Sequence, residues 1–542
     1  MQGRRVDSPE CTQTRCPMAK RMRPVTVRID RDRLDGPDAV RDGTDGDALT
    51  LPLPPPNVRR MFAMRPVGYV IGLFVVVLGL AMLGPLVVDA VGGHAEWRTF
   101  GIAMLITVIA GMGLMTACAS GRKEGLSIQQ TFILTVLAWL VLPLFGSLPF
   151  MIGAQEMGFT DAFFEAMSGI TTTGATVMSG LEQLPPGTLL WRGLLQWFGG
   201  LGIVVVAIAI LPELRVGGMQ LFKSEAFDTF GKILPQAAQI AKQLFYIYFG
   251  LTVAAMLIYA ACGMKPIDAL VHAMTSIATG GLANYDDSFA AFDNPAIPYF
   301  GAFFMLSSAL PYVRYIQLAH GAPRPILRDP QVRMFFKLIV LFVAVLAFGR
   351  WQDTGDLEYA FRTTLFNVTS IMTGTGYATE DYTLWGPFPM MMFFVIGMIG
   401  GCAGSTSCSV KVFRYQVLAA VIRAQIKLIQ NPSSVPRARY DGRPISEDIL
   451  SSVMAFFLLF MLTLGLLVLC LSMIGLDLLT ALSGAAACLG NIGPGLGPII
   501  GPAGNYATLP ESAKWVLTLA MFLGRLELLS VFVLFMPRFW QR

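Results

Sequence analysis

The run Ser168-Gly169-Ile170-Thr171-Thr172-Thr173-Gly174-Ala175-Thr176 follows a short apolar, helix-like segment, and degenerate forms of it follow three more such segments. Aligned on the last glycine, Gly174 corresponds to Gly281, Gly376 and Gly493, at intervals of 107, 95 and 117 residues, with no gap inside the motifs. Asp161-Ala162-Phe163 then falls on Asp268-Ala269-Leu270 and on Thr480-Ala481-Leu482, Met167 on Met274, and Ser168 on Ser370. A period of about 100 residues is too long for a solenoid, so each unit is expected to be a small domain. Four quasi-equivalent units predict a ring about a central axis.

These motifs contain Thr, Gly and small residues, and no carboxylate, imidazole or thiol. What they offer is backbone. Glycine permits dihedrals that turn carbonyl oxygens toward an axis, and irregular backbone at membrane depth is tolerated only where it is buried in protein or lines a wet cavity. Rings of such carbonyls replace the hydration shell of an alkali cation. A single Thr-Gly pair would signify only a turn or a helix C-cap; four in register between apolar segments signify more.

The setting is a membrane. The 542 residues are 54% hydrophobic and 14% charged, with a mean hydropathy of +0.60, which suits about ten spans of ~20 residues. The net charge of +5 is spread through loops between apolar runs rather than over one face, so it reports topology and not nucleic-acid binding. Cys118, Cys262, Cys402, Cys408, Cys470 and Cys488 lie in or beside apolar segments and read as small buried hydrophobes. Cys11 and Cys16 lack the second pair or nearby histidine that a zinc site needs.

In chain order, residues 1–60 read as a disordered polar tail, or as an artefact of start-site assignment with Met61 or Met64 as the true start. Residues 61–125 hold an accessory helix pair (67–91 and 97–119). Repeat 1 (126–238) consists of a span at 128–152, a re-entrant segment from Asp161 to Thr176 and a return span at 188–212. Asp161 is expected to cap its pore helix, whose C-terminal, partly negative end would face a cation. Glu165 is expected to support the loop behind the motif. The linker Arg215 to Lys242 follows as a surface helix. Repeat 2 (239–328) has spans at 240–263 and 296–319, with His272 in the position of Glu165 and the same supporting role expected.

Repeat 3 (329–443) has a span at 334–349 and a pore segment at 357–378, but its return run, Pro387 to Arg423, is interrupted by Gly397, Gly400, Gly401, Gly404, Ser405, Thr406 and Ser407. Glycine and serine at that density break a helix and predict a mobile loop under the filter. Repeat 4 (444–542) has spans at 447–473 and 512–536. Arg525 stands inside the last of these, where a charge costs at least ~2.5 kcal/mol on insertion scales. Glu527 lies two residues on and is a poor partner for it. Arg525 is therefore expected to face the pore, as an electrostatic barrier or as a clamp on the repeat-3 loop. Arg and Lys clusters beside the spans place both termini in the cytoplasm.

Taken together, Ser168-Gly-Ile-Thr-Thr-Thr-Gly174, Thr279-Gly-Gly281, Thr373-Gly-Thr-Gly-Tyr377, Asn491-Ile-Gly-Pro-Gly495, Gly400-Gly-Cys-Ala-Gly-Ser-Thr406 and Gly524-Arg-Leu-Glu527 resemble the membrane subunits of the Trk/Ktr/HKT superfamily of potassium transporters, in its TrkH branch, over residues 61–542. The resemblance implies an all-α polytopic membrane protein with four helix, pore-loop, helix repeats around one pore. It implies a potassium path lined by backbone near Thr172, Thr173, Thr279, Gly280, Gly374, Thr375, Asn491 and Ile492, with filter glycines Gly174, Gly281, Gly376 and Gly493. It also implies a gating loop at residues 400–408 containing Gly400, Gly401, Gly404, Ser405 and Thr406, with Arg525 beside it. K+ is then the transported ion, and no cofactor is expected on this chain. A homodimer in the lipid of the inner membrane, carried on a cytosolic ring of TrkA-like nucleotide-binding subunits, completes the expectation. The fourth motif departs from the threonine-rich pattern, and the N-terminal tail has no counterpart.

Three other readings compete. A sodium- or proton-coupled symporter would expose a titratable group along its path, and Glu527 is the one candidate inside a span. A sodium-admitting filter is disfavoured by glycine at all four positions. A membrane-embedded enzyme would need clustered His, Asp, Glu or Lys at the membrane face, whereas the polar intramembrane segments carry Thr, Gly and Ser.

Overall fold

A computed structural model describes residues 64–123, 126–206 and 237–540. The expectations for the N-terminal tail, Cys11, Cys16 and most of the 215–242 linker lie outside these residues. Among the described residues, seven helices are long and apolar enough to cross a membrane, and nine if two sharply bent pairs each count as one span. The return of repeat 3 is split into two helices, Pro387–Gly397 and Val412–Gln430. Apolar side chains such as Leu458, Leu462, Leu466, Leu469 and Met473 are exposed, while Thr172, Thr279, Thr375, Gln196 and Arg192 are buried. Apolar groups outside and polar groups inside are the distribution that a hydrocarbon solvent selects.

The accessory pair comprises a helix kinked near Met82 (Arg65–Ala81, Leu83–Gly92) and Trp97–Ala117. Its helices touch backbone to backbone: a Cβ on Gly72 would lie 2.8 Å from the Gly111 carbonyl oxygen, and one on Gly111 would lie 2.9 Å from that of Gly72. Small residues allow such close crossings in membranes. Buried Asp89 then fastens the pair to repeat 1 by accepting a hydrogen bond from the Gly187 amide, 2.7 Å away, at the start of helix Pro186–Val205.

The four repeats follow one plan, with pore helices Phe159–Ile170, Pro266–Ile277, Leu357–Thr373 and Leu478–Gly490. Asp356 and Asp477 accept bonds from amides of the first turn in repeats 3 and 4. Asp161 is not the cap of the first pore helix, contrary to expectation. That helix begins one turn earlier, after Gly158, and Asp161 pairs instead with Lys514 of repeat 4 at 2.7 Å.

Two return spans expected to be continuous are bent. In repeat 2, Ala296–Ser308 and Tyr312–Ala319 meet at 93°, and in repeat 4, Glu511–Arg525 and Leu529–Phe535 meet at 98°. Pro311, which donates no backbone hydrogen bond and cannot continue a helix, stands at the first bend. At the second, Glu527 (φ 54°) and Leu528 (φ 26°) both have positive φ, a conformation that persists only when surrounding contacts enforce it.

Candidate ion pathway

Each pore helix ends in the same turn. The amides of Thr173, Gly280, Thr375 and Ile492 bond back to the carbonyls of Ser168, Thr275, Ser370 and Ala487, at 2.8–2.9 Å, while those of Thr172, Thr279, Gly374 and Asn491 bond to residues three back. This is the Schellman ending, which needs a left-handed residue just past the helix. Thr172 (φ 50°), Thr279 (52°), Gly374 (76°) and Asn491 (51°) supply it. Two residues on, Gly174 (83°), Gly281 (78°), Gly376 (88°) and Gly493 (97°) are left-handed again. Alternating φ signs make the chain corkscrew, so successive carbonyls are re-aimed at every repeat.

The four turns close on one another. A Cβ on Gly174 would strike the Gly280 carbonyl oxygen, one on Gly281 that of Thr375, one on Gly376 that of Ile492, and one on Gly493 that of Thr173. Repeat 1 thus abuts 2, 2 abuts 3, 3 abuts 4, and 4 abuts 1. The expected site residues Thr172, Thr173, Gly174, Thr279, Gly280, Gly281, Gly374, Thr375, Gly376, Asn491, Ile492 and Gly493 are brought together in this ring. On one side of it the four glycines line a cavity of about 160 Å³ that also takes in Thr176, Asp286 and Tyr506. Converging neutral oxygens at the partly negative ends of four helices suit a dehydrated monovalent cation.

The struts behind the ring alternate. Glu165 accepts from Thr176 Oγ1 (3.0 Å), the Val177 amide (3.0 Å) and Arg192 Nε (2.8 Å), the support expected of it. In repeat 3 the matching Asn367 donates to Thr379 Oγ1 at 3.0 Å and accepts from its amide at 3.2 Å. His272 does not play that part in repeat 2. Its Nδ1 meets the Asp268 carbonyl at 2.8 Å, and its ring packs among Phe289, Phe292 and Tyr377. Asp268, one turn earlier, holds the loop instead, through Asn284 Nδ2 (2.7 Å) and Tyr285 OH (2.8 Å). In repeat 4 Ser483 takes the Leu496 amide at 2.9 Å.

On the opposite side of the ring lies the repeat-3 loop, buried from Cys402 to Cys408. It fills the elbows of its neighbours. Cys402 donates its amide to the Ala309 carbonyl (3.0 Å), Thr406 its hydroxyl to the Ser308 carbonyl (3.1 Å), and Gly404 accepts from the Tyr312 amide (2.9 Å), all at the repeat-2 bend. At the repeat-4 bend, Arg525 places Nη1 2.6 Å from Cys408 Sγ and 3.4 Å from the Thr406 carbonyl, with Nη2 3.4 Å from the Gly199 carbonyl. Cys408 Sγ is also 3.7 Å from Thr172 Oγ1. Cys408 is therefore a polar contact between loop, ring and arginine, not the packing hydrophobe expected. Of the expected gating residues, Thr406 and Arg525 meet directly; Gly400 and Gly401 close the neck of the loop, where the Gly400 amide donates to Val410 (2.8 Å) and that of Gly401 to Ser407 Oγ (2.8 Å). Ser405 turns back onto the Cys402 carbonyl at 2.7 Å.

Glu527 faces neither Arg525 nor the ring: it pairs with Arg414 at 2.5 Å, and the Arg414 guanidinium lies 3.7 Å over the Phe456 ring. Lys411 donates to the Ser407 carbonyl. Sequence reasoning missed Arg192, Gln196, Cys408 and Arg414. Arg192 and Gln196 carried one signal, polarity within the apolar run of helix Pro186–Val205.

The fold and site thus define an all-α multi-pass membrane protein in which four pseudo-symmetric helix-ending turns abut one another in a ring, with the buried repeat-3 loop packed against it. Residues 98–542 match the TrkH family of cation transport proteins, and the chain belongs to that family. It is 43% identical to the Trk system potassium uptake protein TrkI of Halomonas elongata, over 88% of this chain and 97% of that one. It is 36% identical to the Trk system potassium uptake protein TrkH of Escherichia coli, over 88% and 99%. The crystal structure of the potassium transporter TrkH from Vibrio parahaemolyticus superposes with a TM-score of 0.81 at 33% identity, over 88% of this chain and 99% of that one.

Proposed function

We propose that this protein carries out potassium-selective uptake across the inner membrane, through the four-turn carbonyl ring and past a gate formed by the repeat-3 loop and Arg525. The observation that carries the reading is the closed cycle of glycine-to-carbonyl contacts, because it converts four separate turns into one coordination ring. The relatives are named potassium uptake proteins, and glycine at all four positions favours the larger ion. The basic residues Arg324, Arg328, Arg333, Arg423 and Lys427 flank the elements on the loop side, which supports a cytoplasmic position for that side by the positive-inside rule. With Glu527 engaged by Arg414, the last span presents no free carboxylate to the path, which favours channel-like flux over proton or sodium coupling.

Control by a cytosolic nucleotide-binding, TrkA-like subunit and assembly as a homodimer belong to the same proposal. The relatives' designation as parts of a Trk system supports a multi-subunit arrangement. The test is growth at low potassium of a bacterial strain lacking its own potassium uptake, with and without such a partner. Wild type is expected to restore growth with the partner, and Arg525→Ala to take up potassium severalfold faster without it. No potassium uptake by wild type in either setting would overturn the reading.

A further inference from the structure

We propose that Gln196 sets ion preference by fastening a filter carbonyl of the neighbouring repeat, an inference that rests on the potassium-filter reading above. Gln196 sits on the return helix of repeat 1 and is fully buried. Its Nε2 donates to the Gly280 carbonyl at 2.6 Å and its Oε1 accepts from the Leu282 amide at 3.2 Å. One amide therefore clips the repeat-2 turn on both sides of Gly281.

The four carbonyls that face a neighbour's glycine are those of Thr173, Gly280, Thr375 and Ile492. Among the described residues, only the Gly280 oxygen of these accepts a side-chain hydrogen bond. The glycine itself is explained by this contact. Gly280 is not among the left-handed residues, so dihedral freedom is not the reason for it; a Cβ built there would collide with the amide group of Gln196. Repeats 1 and 3 fill the corresponding space from within, with Thr171–Thr173 and Thr373–Thr375 hydroxyl pairs at 2.7 Å. Repeat 2 has Ala278 and Gly280 instead and borrows its polar support from the adjacent repeat.

The consequence is mechanical and electrostatic. A sodium ion is smaller than a potassium ion, so coordinating it requires the ring oxygens to move inward. A carbonyl tethered by an amide N–H on a packed helix resists that movement, and the proton beside it opposes the approach of any cation that draws the oxygen further in. Released from Gln196, the Gly280 oxygen can follow the smaller ion.

The test is the ratio of potassium to sodium uptake in proteoliposomes. Gln196→Met preserves length and burial but removes both bonds. It is expected to lower the ratio about fivefold, the factor one ordinary hydrogen bond carries. Gln196→Glu preserves shape: its neutral acid still donates to Gly280 and accepts from Leu282, whereas its carboxylate cannot donate. Its ratio is therefore expected to match wild type at low pH and to fall as pH rises. The charged or titratable groups on the elements packed against this helix are Asp161 and Glu165, Asp268 and His272, Asp89, and Lys242, Tyr246, Tyr248 and Tyr259, with Arg192 on the helix itself and Arg525 at the Gly199 carbonyl. All are shared with wild type, whose pH profile is the control.

If wild type prefers potassium and both variants keep its ratio at every pH, Gln196 has only a packing role and this inference fails alone. If Gln196→Met does not reach the membrane, the Gln196→Glu titration decides. A wild type without potassium preference would overturn the filter reading itself.

Discussion

The four ring glycines are equivalent in dihedral but not in surroundings. Cβ atoms built on Gly174, Gly281 and Gly376 would lie 1.8–2.2 Å from a neighbour's carbonyl oxygen, whereas the collision at Gly493 is milder, 2.7 Å from the Thr173 oxygen. All four sit at φ 78–97°, where an L side chain costs of order 1–3 kcal/mol before any collision. Serine at Gly281 or Gly376 is therefore expected to abolish potassium preference or assembly, while Gly493→Ser loses the least. Yield from membranes and the potassium-to-sodium ratio of the four serine variants, measured side by side, would reveal that order. A uniform response would remove the link between preference and these contacts. These glycines were legible because they recur in register. Gln196 was not, since nothing in Leu194-Leu195-Gln196-Trp197 indicates which backbone, in another repeat, its amide will meet.

At the scale of elements, a common helix ending is reached from different starts. Only the pore helices of repeats 3 and 4 have an aspartate cap; Asp161 and Asp268 sit in the first turn and bind Lys514 and the Asn284-Tyr285 loop. Asp477 lies outside the spans, and its carboxyl is held below the usual carboxylate range chiefly by the Thr480 hydroxyl, then by the Thr480 amide. A depressed folded-state pKa contributes stability that is complete above about pH 4 and is lost as pH falls through the folded value. Asp477→Ala is expected to cost up to about 1 kcal/mol at neutral pH, with a difference in thermal unfolding from wild type that shrinks toward zero below pH 4. A gap that stays constant with pH would mean that the ionised form of the carboxyl contributes nothing beyond the neutral one. Behind the ring, Arg192 and Glu165 form a pair with side chains 1% and 0% exposed. Losing one partner of such a pair costs about 3–5 kcal/mol through the charge left behind, so neither Arg192 nor Glu165 is replaceable alone.

At the scale of the molecule, the return spans of repeats 2, 3 and 4 all break where the loop lies, and the loop is pinned between the other two elbows. Arg525 and the Arg414–Glu527 pair tie it to the repeat-4 elbow, whose consecutive positive φ values mark a strained hinge. Breaking the pair removes the ionic tie between Val412–Gln430 and the repeat-4 elbow and frees the elbow. Glu527→Gln and Arg414→Met are each expected to raise partner-independent potassium flux severalfold, by the same route as Arg525→Ala and with unchanged potassium preference. Flux measured on purified protein in liposomes checks this. If both variants conduct no faster than wild type while remaining folded, the elbow is a scaffold and not part of the gate.

The sequence by itself determined the class of fold, the fourfold repeat, the ring glycines, the interruption in repeat 3 and an inward-facing Arg525, which it left as either a barrier or a clamp on that loop. Each follows from local chemistry: apolar length, glycine where φ must be positive, and a charge that hydrocarbon will not accept. The bends in repeats 2 and 4 were hidden because Ala296–Ala319 and Glu511–Phe535 are each apolar enough on average to pass for one span, and hydropathy records burial in lipid rather than direction. His272 had the right register for a strut but lost the role to Asp268, whose carboxylate reaches the loop one turn earlier. Cys408, Gln196 and the Arg414–Glu527 pair acquire their partners from distant repeats. Only tertiary packing brings those groups together, because a hydrogen bond across a ring depends on where four separate chain segments come to rest.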